Sequence, residues 1–504
     1  MALVAMGLGV LVIANDFTAL NVALPAIEQD LDVDVGTAQW VINAYALTFG
    51  MVIVTGGRLA DLFGRRRIFF VGAAIFAGFS LLGGAAQSAG WLIGTRVGMG
   101  IGGALMWPAV LGMTFAALPA ARAGLAGGIV LGVAGIGNAM GPLLGGLLTD
   151  ELSWRWIFFL NVPIAALAVA VTWAKVHQPV PGADTRRIDY WGIASLSLGL
   201  LLLLLALDQS ADWGWGDWRV IAMLALSAGL IIAFGTIERA MGPAALVPAD
   251  VASNRRFTSA CLTVLLMSAV FFSVVLYVPQ LMEKVLGYSA LRAGVAMLPM
   301  LAVFAIVAFF AGRLYERIGG RPVITAGAVC LALGPFLLSF FDTGSSYGTL
   351  VPGLIVTGLG VGLFYPTITT AAVTALEPAR SSLAGGIVYM FQIAGGAIGL
   401  GLTTAIFTTR SEDELAAEAA EAGSSLTAHQ TAVLHGDLAG TDAAAAALAQ
   451  LPSGAAELIH RIVRESFVLG VQTSFRVVAA IALAGLVIAV LFVRPDPPTT
   501  GPEA

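Results

Sequence analysis

A carboxylate set deep in an apolar segment is the sharpest chemical signal in this sequence. Asp16 lies roughly midway along an apolar run over 4–26. An ionisable group in such a run is costly and marks a functional position by default. Arg96, about one turn into the run over 91–117, is the other buried charge expected in the first half and the natural partner. Burial penalises the charged form of a carboxyl group, whereas a nearby cation favours it. A carboxyl balanced between those effects can bind and release protons near neutral pH. Proton uptake by Asp16 would free Arg96, and a cationic ligand could compete with the proton. The alternative is a static ion pair that only fastens two helices. Asp16 and Arg96 are therefore expected to couple protons, with the static clamp as the competing reading.

Such a pair needs membrane helices to hold it. The chain of 504 residues is 58% hydrophobic and 11% charged, with a mean hydropathy of +0.91. Soluble domains carry about 25% charged residues, so lipid must be the solvent here. In lipid only helices and closed barrels satisfy the backbone. The apolar runs are about 20 residues long without alternation, which selects helices. About fourteen such runs follow one another, from 4–26 to 466–493. No basic segment precedes the first run, which passes directly into Asn15 to Thr18, so no cleaved signal is expected. One set of loops holds most of the basic residues, among them Arg58, Arg65, Arg66, Arg67, Arg186, Arg187, Arg313, Arg317, Arg321 and Arg494. The opposite loops are poor in bases and in places acidic, as at Glu28, Asp30, Asp32 and Asp34. That bias places both termini in the cytoplasm.

The sequence also repeats itself. Gly100 to Pro108 (GIGGALMWP) recurs as Gly358 to Pro366 (GLGVGLFYP), an offset of 258. Ala121-Arg122 followed by Leu125 to Val130 (LAGGIV) recurs at the same offset as Ala379-Arg380 and Leu383 to Val388. The loop Gly57, Arg58, Asp61, Gly64 recurs as Gly312, Arg313, Glu316, Gly319, an offset of 255. Two parallel six-helix halves are therefore expected, the arrangement of a rocking transporter. The halves cover 1–177 and 255–493, with a linker at 178–189 and two inserted helices within 178–254, and a tail at 494–504. Residues 409–465 are expected to form a long outer segment of short surface helices, with a helix start at Ser411 to Glu414. Arg96 maps by the repeat onto Leu354, and Pro142 onto Leu400, so charge coupling is confined to the first half.

Several motifs now add up to a resemblance. Gly57, Asp61, Gly64, Arg65 and Arg66 between the second and third runs resemble the signature loop of the major facilitator superfamily. Arg96 with Gly100 and Gly102 is similar to its second motif. Gly137, Gly141, Pro142 and Gly145 in the fifth run resemble the superfamily's antiporter motif. Asp16 to Pro25, Trp40 to Tyr45 and Trp154 to Pro163 resemble the fourteen-helix drug:proton antiporters. The resemblance spans essentially the whole chain. It implies an all-α polytopic membrane protein with two six-helix halves and two extra helices. The implied activity is proton-driven export of lipophilic drugs from the bacterial plasma membrane. No enzyme activity, cofactor, metal site or nucleic-acid partner is expected; substrates, protons and lipids are, and the protein is expected to be a monomer. Relatives that bind dications carry an acidic residue in helix 10; Val295 to Phe310 has none, so monocationic or neutral compounds should be favoured.

The remaining candidates follow from residue type. The glycines at 137, 141 and 145 recur every four residues and permit close helix approach, while Pro142 bends the helix and Asn138 could face a cavity. Asp61 can cap a helix or pair with Arg65 in a cytoplasmic latch. Substrate contacts are expected among Asn21, Gln39, Asn43, Trp107, Tyr277, Gln280, Phe364, Tyr365, Tyr389 and Gln392, an apolar pocket with a few polar groups. Cys261 and Cys330 fall in apolar runs and read as buried thiols. His177, His429, His435 and His460 fall in expected loops, which argues against a histidine relay. Export of an endogenous lipid, siderophore or metabolite is the competing transport reading, and a channel or structural membrane protein the competing class.

Overall fold

The computed structural model describes residues 2–176, 188–421 and 453–492. Among them are fourteen helices long and apolar enough to cross a membrane. The first half comprises α1 (Ala2–Leu31), α2 (Val35–Phe63), α3 (Arg65–Gly84), α4 (Ala89–Ala117), α5 (Ala123–Glu151) and α6 (Arg155–Lys175). Then come the inserted α7 (Tyr190–Trp213) and α8 (Trp218–Met241). The second half comprises α9 (Arg255–Lys284), α10 (Leu298–Ile318), α11 (Gly320–Leu338), α12 (Tyr347–Thr374), α13 (Ser381–Glu421) and α14 (Ser453–Phe492). No strand occurs among the described residues.

Local chemistry sets the helix ends. The side chains of Asp34, Ser88, Asp189 and Asn254 accept backbone hydrogen bonds at the starts of α2, α4, α7 and α9. Gly64 (φ 98°) and Gly319 (φ 84°) turn α2 into α3 and α10 into α11, a backbone region that glycine enters without steric cost. These two glycines are equivalent in the repeat. In the α7–α8 turn, hydrogen bonds from Arg219 hold the Asp217 carboxyl down to about 2.

The packing repeats as the sequence does. In the first half α1 lies on α5 and α6, and α4 lies on α2 and α3; in the second α9 lies on α13 and α14, and α12 on α10 and α11. The halves meet where α2 and α4 touch α13, and where α5 touches α10 and α12. α7 packs on α8, and also against α2 and α13, so the inserted pair sits at one seam between the halves.

Within the apolar span Leu291–Ile318, a short helix, Ala290–Ala296, precedes α10, which starts at Leu298 with Pro299 at its second position. Three expectations need correction. α13 and α14 run for 41 and 40 residues, well past the expected limits at 408 and 466. The Ser411 to Glu414 pattern lies within α13, because Phe407, Ser411 and Leu415 continue one face against α14; the Phe407 and Phe467 rings stand 5.1 Å apart. Residues 422–452, like most of the linker at 178–189 and the tail at 494–504, lie outside the described residues. His460 is an exposed residue of α14 rather than of a loop, while His177, His429 and His435 are not described. Cys261 is buried and Cys330 half-buried, both as free thiols.

Candidate functional site

Asp16 occupies the middle of α1, with 0% of its surface exposed. Arg96, 1% exposed, sits two turns into α4, which begins at Ala89 and therefore earlier than expected. Arg96 Nη1 donates to Asp16 Oδ2 at 2.6 Å. The second carboxylate oxygen accepts from Asn161 Nδ2 of α6 at 2.9 Å. The same amide nitrogen lies 3.3 Å from Ser80 Oγ of α3, which in turn donates to the Phe158 carbonyl at 2.8 Å. Arg96 Nε donates to the Val41 carbonyl of α2 at 2.8 Å, and the guanidinium lies 4.2 Å from the centroid of the Tyr45 ring. One buried charge pair thus gathers five helices of the first half.

Small residues make that convergence sterically feasible. A methyl placed on Gly100 would stand 2.8 Å from the Tyr45 carbonyl, and one on Gly103 would stand 3.0 Å from Phe49. Any side chain at those positions would push α2 away from Arg96. Charges in apolar runs revealed Asp16 and Arg96. Asn161, Ser80 and Tyr45 were missed as site members, although Asn161 is a lone amide in an apolar run and offered the same signal.

The antiporter-like stripe of α5 packs on the helix that carries Asp16. A methyl on Gly137 would lie 2.8 Å from Ala14 Cβ; on Gly141 it would overlap Thr18, and on Gly145 the Ala19 carbonyl. Thr18 Oγ1 donates to the Asn138 carbonyl at 3.1 Å. Pro142 lies within α5, which stays continuous through it.

At the arginine-rich end, the halves hold each other reciprocally. Asp61 accepts from the Leu383 amide at 2.8 Å and the Ser382 amide at 3.3 Å, at the start of α13. Glu316, its repeat equivalent, accepts from the Leu125 amide at 2.9 Å, at the start of α5. Leu125 and Leu383 are themselves repeat equivalents. A carboxylate at a helix start meets orphan amides and a favourable dipole. Gly57 lets the chains approach, since a methyl there would stand 2.6 Å from the Ser382 carbonyl; a methyl on Gly312 would overlap the Gly124 carbonyl. Arg65 donates to Asp61 at 3.1 Å, to the Gly112 carbonyl at 3.0 Å and to the Pro378 carbonyl at 2.6 Å. Arg66 turns elsewhere: it donates to the Trp173 carbonyl at 2.8 Å, within its own half.

The expected cavity residues divide. Trp107, Tyr389 and Gln392 line one small cavity between the halves, together with Leu111, Leu131, Thr369, Gly385 and Val388. An aromatic chain joins it to the charge pair: Tyr45 and Phe17 (4.8 Å), Phe17 and Phe49 (5.5 Å), Phe49 and Tyr389 (5.6 Å), Tyr389 and Trp107 (4.6 Å). Phe17 and Phe49 were not anticipated. Phe364 does not line that cavity; it is fully buried against Gly327 of α11. Tyr277 is buried too, bonded to Thr404 and stacked near Phe407, and Tyr365 bonds Ser268 within the second half. Asn21 and Gln39 are exposed and Gln280 is half-buried. Asn43 Nδ2 donates to Asp208 of α7 at 3.0 Å. No cluster of three or more potential metal ligands occurs among the described residues.

Comparison with known proteins agrees with this architecture. A structure of the human organic anion transporter MFSD10 (TETRAN) matches with a TM-score of 0.65, covering 97% of this chain and 98% of that one, at 12% identity. The tetracenomycin C resistance and export protein of Streptomyces glaucescens is 29% identical over 501 residues, 99% of this chain and 93% of that protein. The puromycin resistance protein pur8 of Streptomyces alboniger is 35% identical over 432 residues, 84% of each chain. The sequence model of the Major Facilitator Superfamily matches residues 6–400. Fourteen membrane-type helices, a repeated six-helix packing and these matches together make this chain a member of the major facilitator superfamily, a transporter and not an enzyme.

Proposed function

We propose that the protein exports lipophilic, monocationic or uncharged drug-like compounds from the bacterial cytoplasm, exchanging them for protons without any bound cofactor. The observation that carries this reading is the fully buried Asp16–Arg96 pair, whose arginine maps by the repeat onto Leu354 in the second half. With Asp16 ionised, Arg96 and Asn161 occupy both of its oxygens and tie α1 to α4 and α6. A proton on Asp16 removes the counter-charge of Arg96 and weakens that tie. α1 leans on the glycine stripe of α5, and the far end of α5 is held by Glu316. Protonation therefore has a contiguous set of packed contacts through which to bias the gate. The excess of arginine in the loops at the gated end supports a cytoplasmic position for that end and for both termini. Names given to the relatives, for tetracenomycin C export and for puromycin resistance, support antibiotic-like cargo. We infer a monomer surrounded by lipid.

The test is efflux of a lipophilic monocationic dye from reconstituted vesicles under an imposed pH gradient. Gradient-driven efflux by the wild type, lost in Asp16→Asn, is the expected result. Dye movement that ignores the gradient would remove proton coupling from the reading.

A further inference from the structure

The cavity between the halves is walled by two helices of each, α4 and α5 on one side and α12 and α13 on the other. Four of its lining side chains are polar: Trp107, Thr369, Tyr389 and Gln392. No Asp, Glu, Lys, Arg or His lines it. Trp107 is 3% exposed, and its Nε1 has no hydrogen-bond partner. Other tryptophans give that group to the protein: Trp91 Nε1 donates to the Leu82 carbonyl at 3.1 Å, and Trp154 Nε1 to Asp30 at 3.3 Å. The hydroxyls of Thr369 and Tyr389 and the amide of Gln392 bond to no other described residue. Every polar side chain that lines the cavity is thus left without a protein partner.

A buried donor without an acceptor forfeits a hydrogen bond it would make in water, and such groups are few in folded proteins. The indole N–H donates and cannot accept, so only an acceptor satisfies it. Thr369, Tyr389 and Gln392 can donate or accept, so the tryptophan sets the condition. Packing does not explain the N–H, because a phenylalanine ring would fill space without it. The rest of the wall is apolar, and the Trp107 and Tyr389 rings stand 4.6 Å apart. A few polar groups in an apolar wall are the usual make-up of a small-molecule site. The cavity has room for about one water-sized group. It therefore fits one polar group of a ligand, and the frame that carries that group needs α4 and α5 to part from α12 and α13. A single water would also satisfy the N–H, but it gives no preference among ligands.

We propose that this cavity selects cargo by a hydrogen-bond acceptor, a carbonyl or its equivalent on a lipophilic frame, which takes the Trp107 N–H. Charge is not read here, since no ionised side chain lines the wall. The proposal rests on the lipophilic cargo inferred above and adds the one polar feature that such cargo must carry. It does not rest on proton exchange. Cargo is read at Trp107, and the proton at Asp16 and Arg96, with the aromatic chain through Tyr389, Phe49, Phe17 and Tyr45 between them.

The test is equilibrium binding of fluorenone, and of fluorene, which has a methylene in place of the carbonyl, to the purified full-length protein in lipid nanodiscs. Empty nanodiscs correct for partition into lipid. The wild type should bind fluorenone at least about tenfold more tightly than fluorene. Trp107→Phe keeps an aromatic ring and removes the N–H. It should cut that preference to less than about twofold by weakening fluorenone, with fluorene changed less than about twofold. Trp91→Phe, at a tryptophan outside the cavity, should leave the preference intact. Equal affinity of the wild type for the two compounds would overturn the proposal and mark a cavity that holds only water; this comparison needs no variant to fold. A preference that survives Trp107→Phe would also overturn it, as would one lost equally in Trp91→Phe. An equal loss of both compounds in Trp107→Phe would do the same, because it marks packing. A wild type that binds neither would overturn it together with the lipophilic cargo, whereas equal binding overturns the acceptor alone. No gradient is present, so a failure of proton-driven efflux would neither support nor weaken the role of Trp107.

Discussion

At the scale of single residues, the charge pair admits different outcomes for its two members. Asp16→Asn keeps the hydrogen-bonding shape and removes the titrating group, leaving Arg96 its contacts with the Val41 carbonyl and the Tyr45 ring. That variant should fold, insert and lose gradient-driven transport by at least about tenfold, equivalent to about 1.4 kcal/mol; full transport would take Asp16 out of the mechanism. Arg96→Ala instead strands a carboxylate at 0% exposure. Removing one partner of a buried pair costs about 3–5 kcal/mol, so thermal unfolding in detergent should shift clearly downward. The pH profile of substrate binding should move with it, and an unchanged profile would leave a purely structural pair. These two residues were legible in the sequence because charge is rare in apolar runs. Asn161 offered the same kind of signal, as a lone amide in an apolar run, but a weaker one because it carries no charge; Tyr45 offered none, because aromatics are tolerated in many places inside helices. Phe364 was hard to place for a related reason: α12 is buried around most of its circumference, so residue type could not tell its cavity face from its packing face.

At the scale of elements, the glycines of α5 matter for the backbone they admit. A leucine at Gly141 would run into Thr18, two residues from Asp16. Overpacking of this kind costs about 1–3 kcal/mol. Gly141→Leu should therefore slow turnover or lower yield, whereas Gly78→Leu, on a glycine with open space around it, should do neither; wild-type turnover rates would count against close α1–α5 contact. Helix number and repeat were readable, because length and hydropathy report them directly. The lengths of α13 and α14 were not. Polar residues at 411–414 imitate a helix start, and only the partner helix shows that Ser411 and Leu415 stay on a continuous buried face.

At the scale of the whole molecule, the carboxylates Asp61 and Glu316 close one end by gripping helix starts in the opposite half. Hydrogen bonds to a charged group contribute about 1.5–3 kcal/mol each. Asp61→Asn combined with Glu316→Gln should shift the population toward a state open at that end. Leu111→Cys, placed at the cavity lining in a background without Cys261 and Cys330, should then react faster with a thiol reagent added from that side. An unchanged labelling rate would mean that packing alone keeps the end shut.

The reciprocity of that grip has a consequence for how the halves find one another. Each half offers one carboxylate and one helix start, and each needs the complementary pair. The surface is self-complementary in the manner of a twofold homodimer, although it lies within a single polypeptide. Covalent continuity should then be dispensable. Fragments 1–254 and 255–504, expressed together, should co-purify, and Asp61→Asn with Glu316→Gln should reduce their recovery as a pair. The inserted helices, sitting at a seam, would stay with the first fragment through Asn43 and Ser197. The chain then behaves as two similar partners that recognise each other by the same handshake given twice.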